Sequence, residues 1–411
     1  MEERTEQDDD HPQPCSGGVT APKGFLAAGV SCGIKKGGKK DLCLVYSEAP
    51  AAAAAVFTTN KVKAAPLILS MEHLCRQRAR AVVINSGNAN ACTGEQGMAD
   101  ARAMASGVAG ALDIEPEEVV VGSTGVIGVR LPVEKALAGI KQAARALSAT
   151  GGGDAVRAIM TTDTMVKECA VAVPIGEKTV TVGGMAKGSG MIHPQMATML
   201  SVITTDAAIP APLLKLALGG IIDRTFNMIT VDGDTSTNDM VVVLANGRAQ
   251  NPPIVEQGED YARFCAALHQ VAGHLARAVV RDGEGASKFV EVRVEHAPTN
   301  ADAKKIARAI ATSNLVKTAL YGEDANWGRI LCAAGYSEAD FDVGKVDIFI
   351  GPEMMAHRGE AVQFSEERAK SLLARKEIQI RVDLNQGEND AVVWTCDLTH
   401  DYVNINASYR S

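Results

Sequence analysis

The order of apolar patterns along the chain constrains its fold more than any other feature. KFVEVRVEHA (288–297) alternates apolar and polar residues as a half-exposed strand does. LCLVYS (42–47), MLSVITTDA (199–207) and MVVVLANG (240–247) are short, continuous apolar runs that fit buried strands. ECAVAVPI with KTVTVGGMAKGSG (168–190) reads as a hairpin, and VDIFIG, EIQIRVDL and AVVWTCDL close the chain with strands. Between these lie helical periods: MADARAMASGVAGAL (98–112), VEKALAGIKQAARAL (133–147), LLKLALGGIIDRTF (213–226), YARFCAALHQVAGHLARAVVRDGEGA (261–286, stopped by Gly283) and DAKKIARAIATSNLVKTALYG (302–322). The elements keep no strict β-α-β rhythm. That pattern fits an α+β layered fold with mixed or antiparallel sheets better than a doubly wound parallel sheet.

Composition sets the texture of the core. Aromatic residues are 4% of the 411, against 39 glycines, so small and aliphatic side chains must fill the interior and many turns must be tight. AAAAAVFTTN (51–60) extends this to a packed strand or helix of small residues, and KKGGKK (35–40) reads as a hairpin turn. RARAVVINSGNANACTG (78–94) reads as a strand running into a loop. The Gly151–Gly153 run is expected to end the helix before it. No Pro/Ser/Gly-rich linker marks an internal boundary, so any domains interleave or abut closely.

Lys and Arg number 41 against 49 Asp and Glu, a net charge of −8, which argues against non-specific nucleic-acid or anionic-membrane binding. No apolar run reaches the length of a membrane span. MEERTEQDDDHPQPCSGG has neither the apolar core of a signal peptide nor the Arg-rich, acid-poor character of a presequence, and the expected compartment is the cytoplasm. Residues 1–20 are expected to be a disordered extension. Nine scattered cysteines form no C-x-x-C pair and read as reduced core thiols; with no H-E-x-x-H either, no metal site is expected.

The glycine-rich stretches fail the nucleotide-loop templates. Gly122-Ser-Thr-Gly125-Val-Ile-Gly128 is not G-x-G-x-x-G, and Gly183–Gly190 is not a P-loop. G-x-S-x-G is absent. One segment carries chemistry of another kind. Lys187-Gly-Ser-Gly-Met-Ile-His-Pro-Gln-Met-Ala197-Thr198 leads through a glycine loop into the apolar run MLSVITTDA. If the Ala197–Thr198 bond is cut, Thr198 gains a free α-amine with an ordinary pKa of about 7.7–8.0. That amine can act as general base for the residue's own hydroxyl, so one residue supplies both nucleophile and base. From the residues alone a second reading stays open, in which Thr198 packs or caps at a strand start.

KGSGMIHPQMATML (187–200) resembles the autoprocessing segment of the ornithine acetyltransferase family, the bifunctional glutamate N-acetyltransferase/amino-acid acetyltransferases of arginine biosynthesis. Further blocks resemble the family in order: INSGNANACTGEQG (84–97), GSTGVIG (122–128), MTTDT (160–164), NMITVDGDTSTND (227–239), RDGEGASK (281–288), ANWGRIL (325–331) and DLTHDYVNINASYRS (397–411). The resemblance runs from about Gly24 to Ser411. It implies an N-terminal-nucleophile-like α/β/β/α sandwich with mixed sheets. It also implies a precursor that cuts itself between Ala197 and Thr198, giving an α chain (21–197 after the extension) and a β chain (198–411).

The same resemblance assigns roles. Thr198 is nucleophile and base, and Thr124 and Gly125 form the oxyanion hole. Thr164, Lys187, Thr198, Glu284, Asn406 and Ser411 contact substrate. A Lys suits a carboxylate and a Glu an ammonium, which are the groups of N-acetylornithine and glutamate. The last position is usually Thr in the family; Ser411 keeps the hydroxyl and loses a methyl. The implied reaction is ping-pong transfer of acetyl from N2-acetyl-L-ornithine to L-glutamate through acetyl-Thr198, without metal or bound cofactor. Acetyl-CoA is a co-substrate in some members, and an α2β2 heterotetramer is the expected assembly. Two rivals are a related self-cleaving N-terminal-nucleophile aminopeptidase, in which a Ser nucleophile would be expected, and a non-enzymatic scaffold, against which the full set of Thr124, Gly125, Lys187, Thr198 and Glu284 argues.

Overall fold

A computed structural model describes residues 11–193 and 199–407. Ala197, Thr198 and Ser411 lie outside the described residues. Fifteen strands are assigned among the described residues: β1 Gln13–Cys15, β2 Phe25–Val30, β3 Leu42–Phe57, β4 Arg78–Asn88, β5 Val119–Val126, β6 Lys167–Ile175, β7 Lys178–Lys187, β8 Leu200–Thr205, β9 Met240–Ala245, β10 Phe289–Ala297, β11 Asp347–Ile350, β12 Glu353–His357, β13 Glu360–Ala361, β14 Glu377–Asp383 and β15 Asn389–Cys396. The α-helices are α1 Ala65–His73, α2 Gly94–Leu112, α3 Val133–Arg145, α4 Gly152–Ile159, α5 Ala211–Ile222, α6 Glu259–Arg281, α7 Asn300–Thr312, α8 Asn314–Tyr321, α9 Trp327–Gly335, α10 Glu366–Leu373 and α11 His400–Ala407.

The chain divides into two compact units that interleave in sequence. The first holds the chain through Gly188, the stretch with β8 and α5 up to Asn227, and Thr235–Val279; the second holds Ser189–His193, Met228–Asp234 and the chain from Val280 onward.

In the first unit nine strands form one sheet in the order β1-β6-β7-β8-β9-β3-β4-β5, with β2 also on β3. Its pairing is mixed, as the irregular rhythm predicts: β4–β5 and β8–β9 are parallel, and the neighbours of β3 are antiparallel to it. LCLVYS and AAAAAVF, two segments in the sequence, are one 16-residue strand. On one side its first half pairs with β2 and its second half with β9, while β4 pairs with both across a register shift between Tyr46 and Ala51. The two halves of the sheet share an inner core that joins Val45, Val82, Ile84 and Val120 to Met185, Leu200, Val202 and Val242, with α4 residues Val156 and Ile159. Alternation puts Leu44, Val83 and Val121 on the opposite face, under Met104 and Val108 of α2 and Ile140 of α3. On the β7–β8 side, Gly184 faces Val271 and Leu275 of α6 and Ile203. Helices thus flank two strand layers, the α/β/β/α order implied by the resemblance. Each fully buried Val or Leu in these layers contributes roughly 1.5–3 kcal/mol.

The second unit is built on a six-stranded sheet, β13-β12-β11-β14-β10-β15, also mixed, with β10–β14 parallel. α7 packs on β10 and β15 through its apolar face, Ile306 and Ile310.

Several expectations need correction. Disorder was expected through residue 20, yet Gln13–Cys15 pairs with Cys169's neighbours on β6 and Gly18–Thr20 is a buried turn. The acidic residues that suggested disorder stop at Asp10; Val19 beyond them enters the core. The 302–322 helix is two helices, because Ser313 turns to extended backbone and caps α8 by accepting from the Val316 amide at 3.3 Å. The Gly151–Gly153 run does not end α3, which stops at Arg145 with Ala146 as its cap, and opens α4 instead. Among the nine free cysteines only Cys43 and Cys396 are buried; Cys15, Cys75, Cys92 and Cys332 are exposed, so most are not core thiols.

Candidate active site

In the first unit the polar groups gather at one end of the sheet. β4 runs out into Asn85-Ser-Gly-Asn88, and β5 beside it ends at Ser123-Thr124-Gly125-Val126. The two ends approach closely. Gly125 has φ +133°, and a Cβ there would lie 2.4 Å from the Gly87 carbonyl carbon, so only glycine fits. Asn85 accepts from the Ser123 hydroxyl at 2.6 Å and donates to the Asn88 carbonyl at 2.9 Å. Asn238, just before β9, donates to the carbonyls of Ala89 at 2.7 Å and Ser123 at 2.8 Å. Thr124 and Gly125 remain half-buried beside this fixed frame.

The ends of β7, β8 and β9 meet at the same frame. Lys187 pairs in register with Leu200, and Leu200 with Met240. The Met240 amide donates to the Met199 carbonyl at 2.9 Å. Met199 directly follows Thr198 in the chain. Described contacts therefore lead without a gap from Ser123, through Asn238, Asp239 and Met240, to the residue after the expected nucleophile.

Asp163 organises the cationic side of this region. Its carboxylate accepts from Lys167 Nζ at 2.7 Å, the Gly188 amide at 2.7 Å and the Thr161 amide at 2.9 Å, and Lys187 Nζ stands 3.9 Å away. Burial alone would raise this carboxyl, but Lys187 and Lys167 hold it well below the usual range. Thr164, next in the chain, is exposed. Asp239 is the opposite case. It is 3% exposed, and burial pushes its carboxyl well above the ordinary value against the weaker pulls of Ser236 and Lys187. Its Oδ2 is the one buried side-chain polar atom without a hydrogen-bond partner among the described residues.

The second unit holds Glu284 and Asn406. Glu284 is 7% exposed on the loop after α6, and Asn406 of α11 donates to its Oε2 at 2.8 Å. The Glu284 carboxylate lies over Gly190, where a Cβ would meet Oε2 at 2.3 Å. The Glu284 amide donates to the Ser189 carbonyl at 3.0 Å and the Ser189 hydroxyl to the Asp282 carbonyl at 2.6 Å. Asp232 accepts from the amides of Met191 at 2.6 Å and Ile192 at 2.9 Å. The loop leading toward Ala197 is thus anchored within this unit through Ser189, Met191 and Ile192.

Of the residues the sequence singled out, Thr124, Gly125 and Lys187 share the sheet end of the first unit, with Thr164 next to Asp163. Glu284 and Asn406 are in direct contact in the second. Sequence reasoning missed Asp163, Lys167, Asn238 and Asp239, although three of them lie in or beside the MTTDT and DTSTND blocks. Among the described residues no group of three His, Cys, Asp or Glu could hold a metal ion, and no helix is long and apolar enough to cross a membrane.

The chain is similar to known proteins over almost its whole length. The model of the ArgJ family matches residues 26–411. The arginine biosynthesis bifunctional protein ArgJ of Symbiobacterium thermophilum is 58% identical over 96% of this chain and 99% of its own. Its counterpart in Bacillus subtilis is 49% identical over 96% of this chain and 97% of its own. Among solved structures, the ornithine acetyltransferase of Mycobacterium tuberculosis complexed with ornithine is 47% identical, covers 45% of this chain and 100% of its own, and has a TM-score of 0.43. With a family match from residue 26 to 411 and full-length relatives near half identity or above, the chain belongs to the ArgJ family.

Proposed function

We propose that this protein transfers the acetyl group of N2-acetyl-L-ornithine to L-glutamate in arginine biosynthesis, through an acetyl ester on Thr198. The observation that carries the reading at the residue level is the run of contacts from the Thr124–Gly125 turn to Met199, the residue after Thr198. Family membership supports the substrates, through the names its relatives bear.

The precursor cuts itself between Ala197 and Thr198 into an α and a β chain, which frees the Thr198 amine. In the first half-reaction Thr198 Oγ attacks the acetyl carbonyl and its own amine takes the hydroxyl proton. The oxyanion is held by the Thr124 hydroxyl and the Gly125 N–H, a pair of the kind worth about 10²–10³ in rate per donor. The tetrahedral adduct collapses, the proton passes to the leaving nitrogen, and ornithine departs. Glutamate's neutral amine then attacks the ester, and Thr198 recovers its proton. Thr164, Lys187, Glu284, Asn406 and Ser411 contact the substrates, Lys187 suiting a carboxylate and Glu284 the ornithine ammonium. The relatives' description as bifunctional supports acetyl-CoA as a second acetyl donor to glutamate. No step uses a metal or bound cofactor. An α2β2 assembly in the cytoplasm completes the reading.

The test is a denaturing gel with intact mass of the purified protein, followed by acetyl exchange between N-acetylornithine and glutamate. The expected result is two chains meeting at Ala197/Thr198, with exchange, and a Thr198→Ala protein that stays whole and transfers nothing. A cleaved Thr198→Ala protein, or a whole wild-type chain, would overturn it. Release of amino acids from small peptides without exchange would favour the aminopeptidase.

A further inference from the structure

Lys35 belongs to the turn between β2 and β3, a place where a lysine is ordinarily a solvated charge. Here its side chain is drawn inward. Its stem lies on Gly87, where a Cβ would meet Lys35 Cγ at 2.8 Å, and Gly87 is the register partner of Gly125. Its Nζ donates to the Met160 carbonyl at 2.9 Å, on the segment that carries Asp163 and Thr164. The turn is fixed from below by buried Asp41, which accepts from the amides of Cys32 at 2.7 Å, Ile34 at 2.7 Å and Lys35 at 2.9 Å.

Lys35 spans from the Gly125 turn to the Thr164 segment, yet it makes no ion pair among the described residues. Asp163 is already committed to Lys167 and neighbours Lys187. Burial lowers the Lys35 ammonium from its ordinary value; Asp41 opposes this, and Lys39, Asp163 and Lys187 act more weakly. Lys35, Lys167 and Lys187 outnumber Asp41 and Asp163, the two carboxylates that act on them, and the Lys35 ammonium has N–H donors beyond the one it gives to Met160. A half-buried region of this kind calls for an anion.

We propose that Lys35 is a further substrate-positioning residue, binding together with Lys187 the α-carboxylate that N-acetylornithine and glutamate share. This rests on the acetyl-exchange reading above. The choice of carboxylate follows from charge. In a ping-pong enzyme both substrates use one site, and where glutamate carries its second carboxylate ornithine carries an ammonium. Two lysines at that end would repel the donor, whereas at the α-carboxylate they serve both partners.

The experiment compares Lys35→Met and Lys35→Gln with wild type in acetyl exchange, using N-acetylornithine and its α-carboxamide as donors. Lys35→Gln keeps an N–H for the Met160 carbonyl and drops the charge. Both variants should self-cleave and melt as wild type does. KM for N-acetylornithine and for glutamate should each rise roughly 10- to 100-fold, with kcat within a few-fold. The carboxamide should cost wild type a similar factor and the variants less, because only the Lys187 charge then still faces that carboxylate. Unchanged KM values, a rise for glutamate alone, or a full carboxamide penalty in both variants would overturn the proposal. A failure of Lys35→Met to fold leaves the decision to Lys35→Gln. If wild type itself exchanges no acetyl, the underlying reading fails instead.

Discussion

Two buried aspartates of the first unit face opposite fates. Asp163 accepts from Lys167 and two backbone amides and stays ionised. Asp239 has an unpartnered oxygen, and burial pushes its carboxyl well above the ordinary value. The difference has a measurable consequence. Because the carboxyl is raised in the fold, Asp239 holds its proton more tightly folded than unfolded, so stability is lost as pH rises above about 4. Asp239→Asn removes that titration. The gap by which the variant's melting temperature exceeds wild type's should widen as pH rises from about 4 to 8 and close toward pH 4. A gap that is constant with pH, or that widens on acidification, would show that Asp239 is ionised in the fold. Neither aspartate's state could be read from the sequence, since MTTDT and DTSTND look alike as polar loops. The lysines that separate them arrive from β6 and β7.

At the scale of elements, caps decide boundaries that periodicity leaves open. Ser313 ends α7 and starts α8 by accepting from the Val316 amide. Ser313→Ala should destabilise the protein by about 1 kcal/mol, read as a lower denaturant midpoint with an unchanged slope. No change would mean that packing alone sets the break. Strands were the most legible elements, because KFVEVRVEHA and MLSVITTDA carry their burial in their own patterns. The joining of LCLVYS to AAAAAVF was not legible, since a strand that changes partners halfway is defined by β2 and β9 rather than by its own residues. Nor was the inward turn of Lys35, which depends on the bare backbone of Gly87, 52 positions later. Thr124, Gly125 and Lys187 were legible as candidates only through the blocks around them. Their gathering at one sheet end is a product of the strand order.

Over the whole molecule, the mixed sheets and flanking helices follow from an irregular strand rhythm filled with small aliphatic side chains. That framework brings the starts of β8 and β9 to the ends of β5 and β7, which makes the start of the β8 segment the natural seat for chemistry. Acetylation of Thr198 as a chain terminus is checked by incubating the purified protein with N-acetylornithine in the absence of glutamate, then digesting it and locating any added mass. The expected result is one acetyl group on the peptide that begins at Thr198, lost again on adding glutamate with release of N-acetylglutamate. An unmodified Thr198 peptide alongside continued exchange, or acetyl on any other residue, would contradict it.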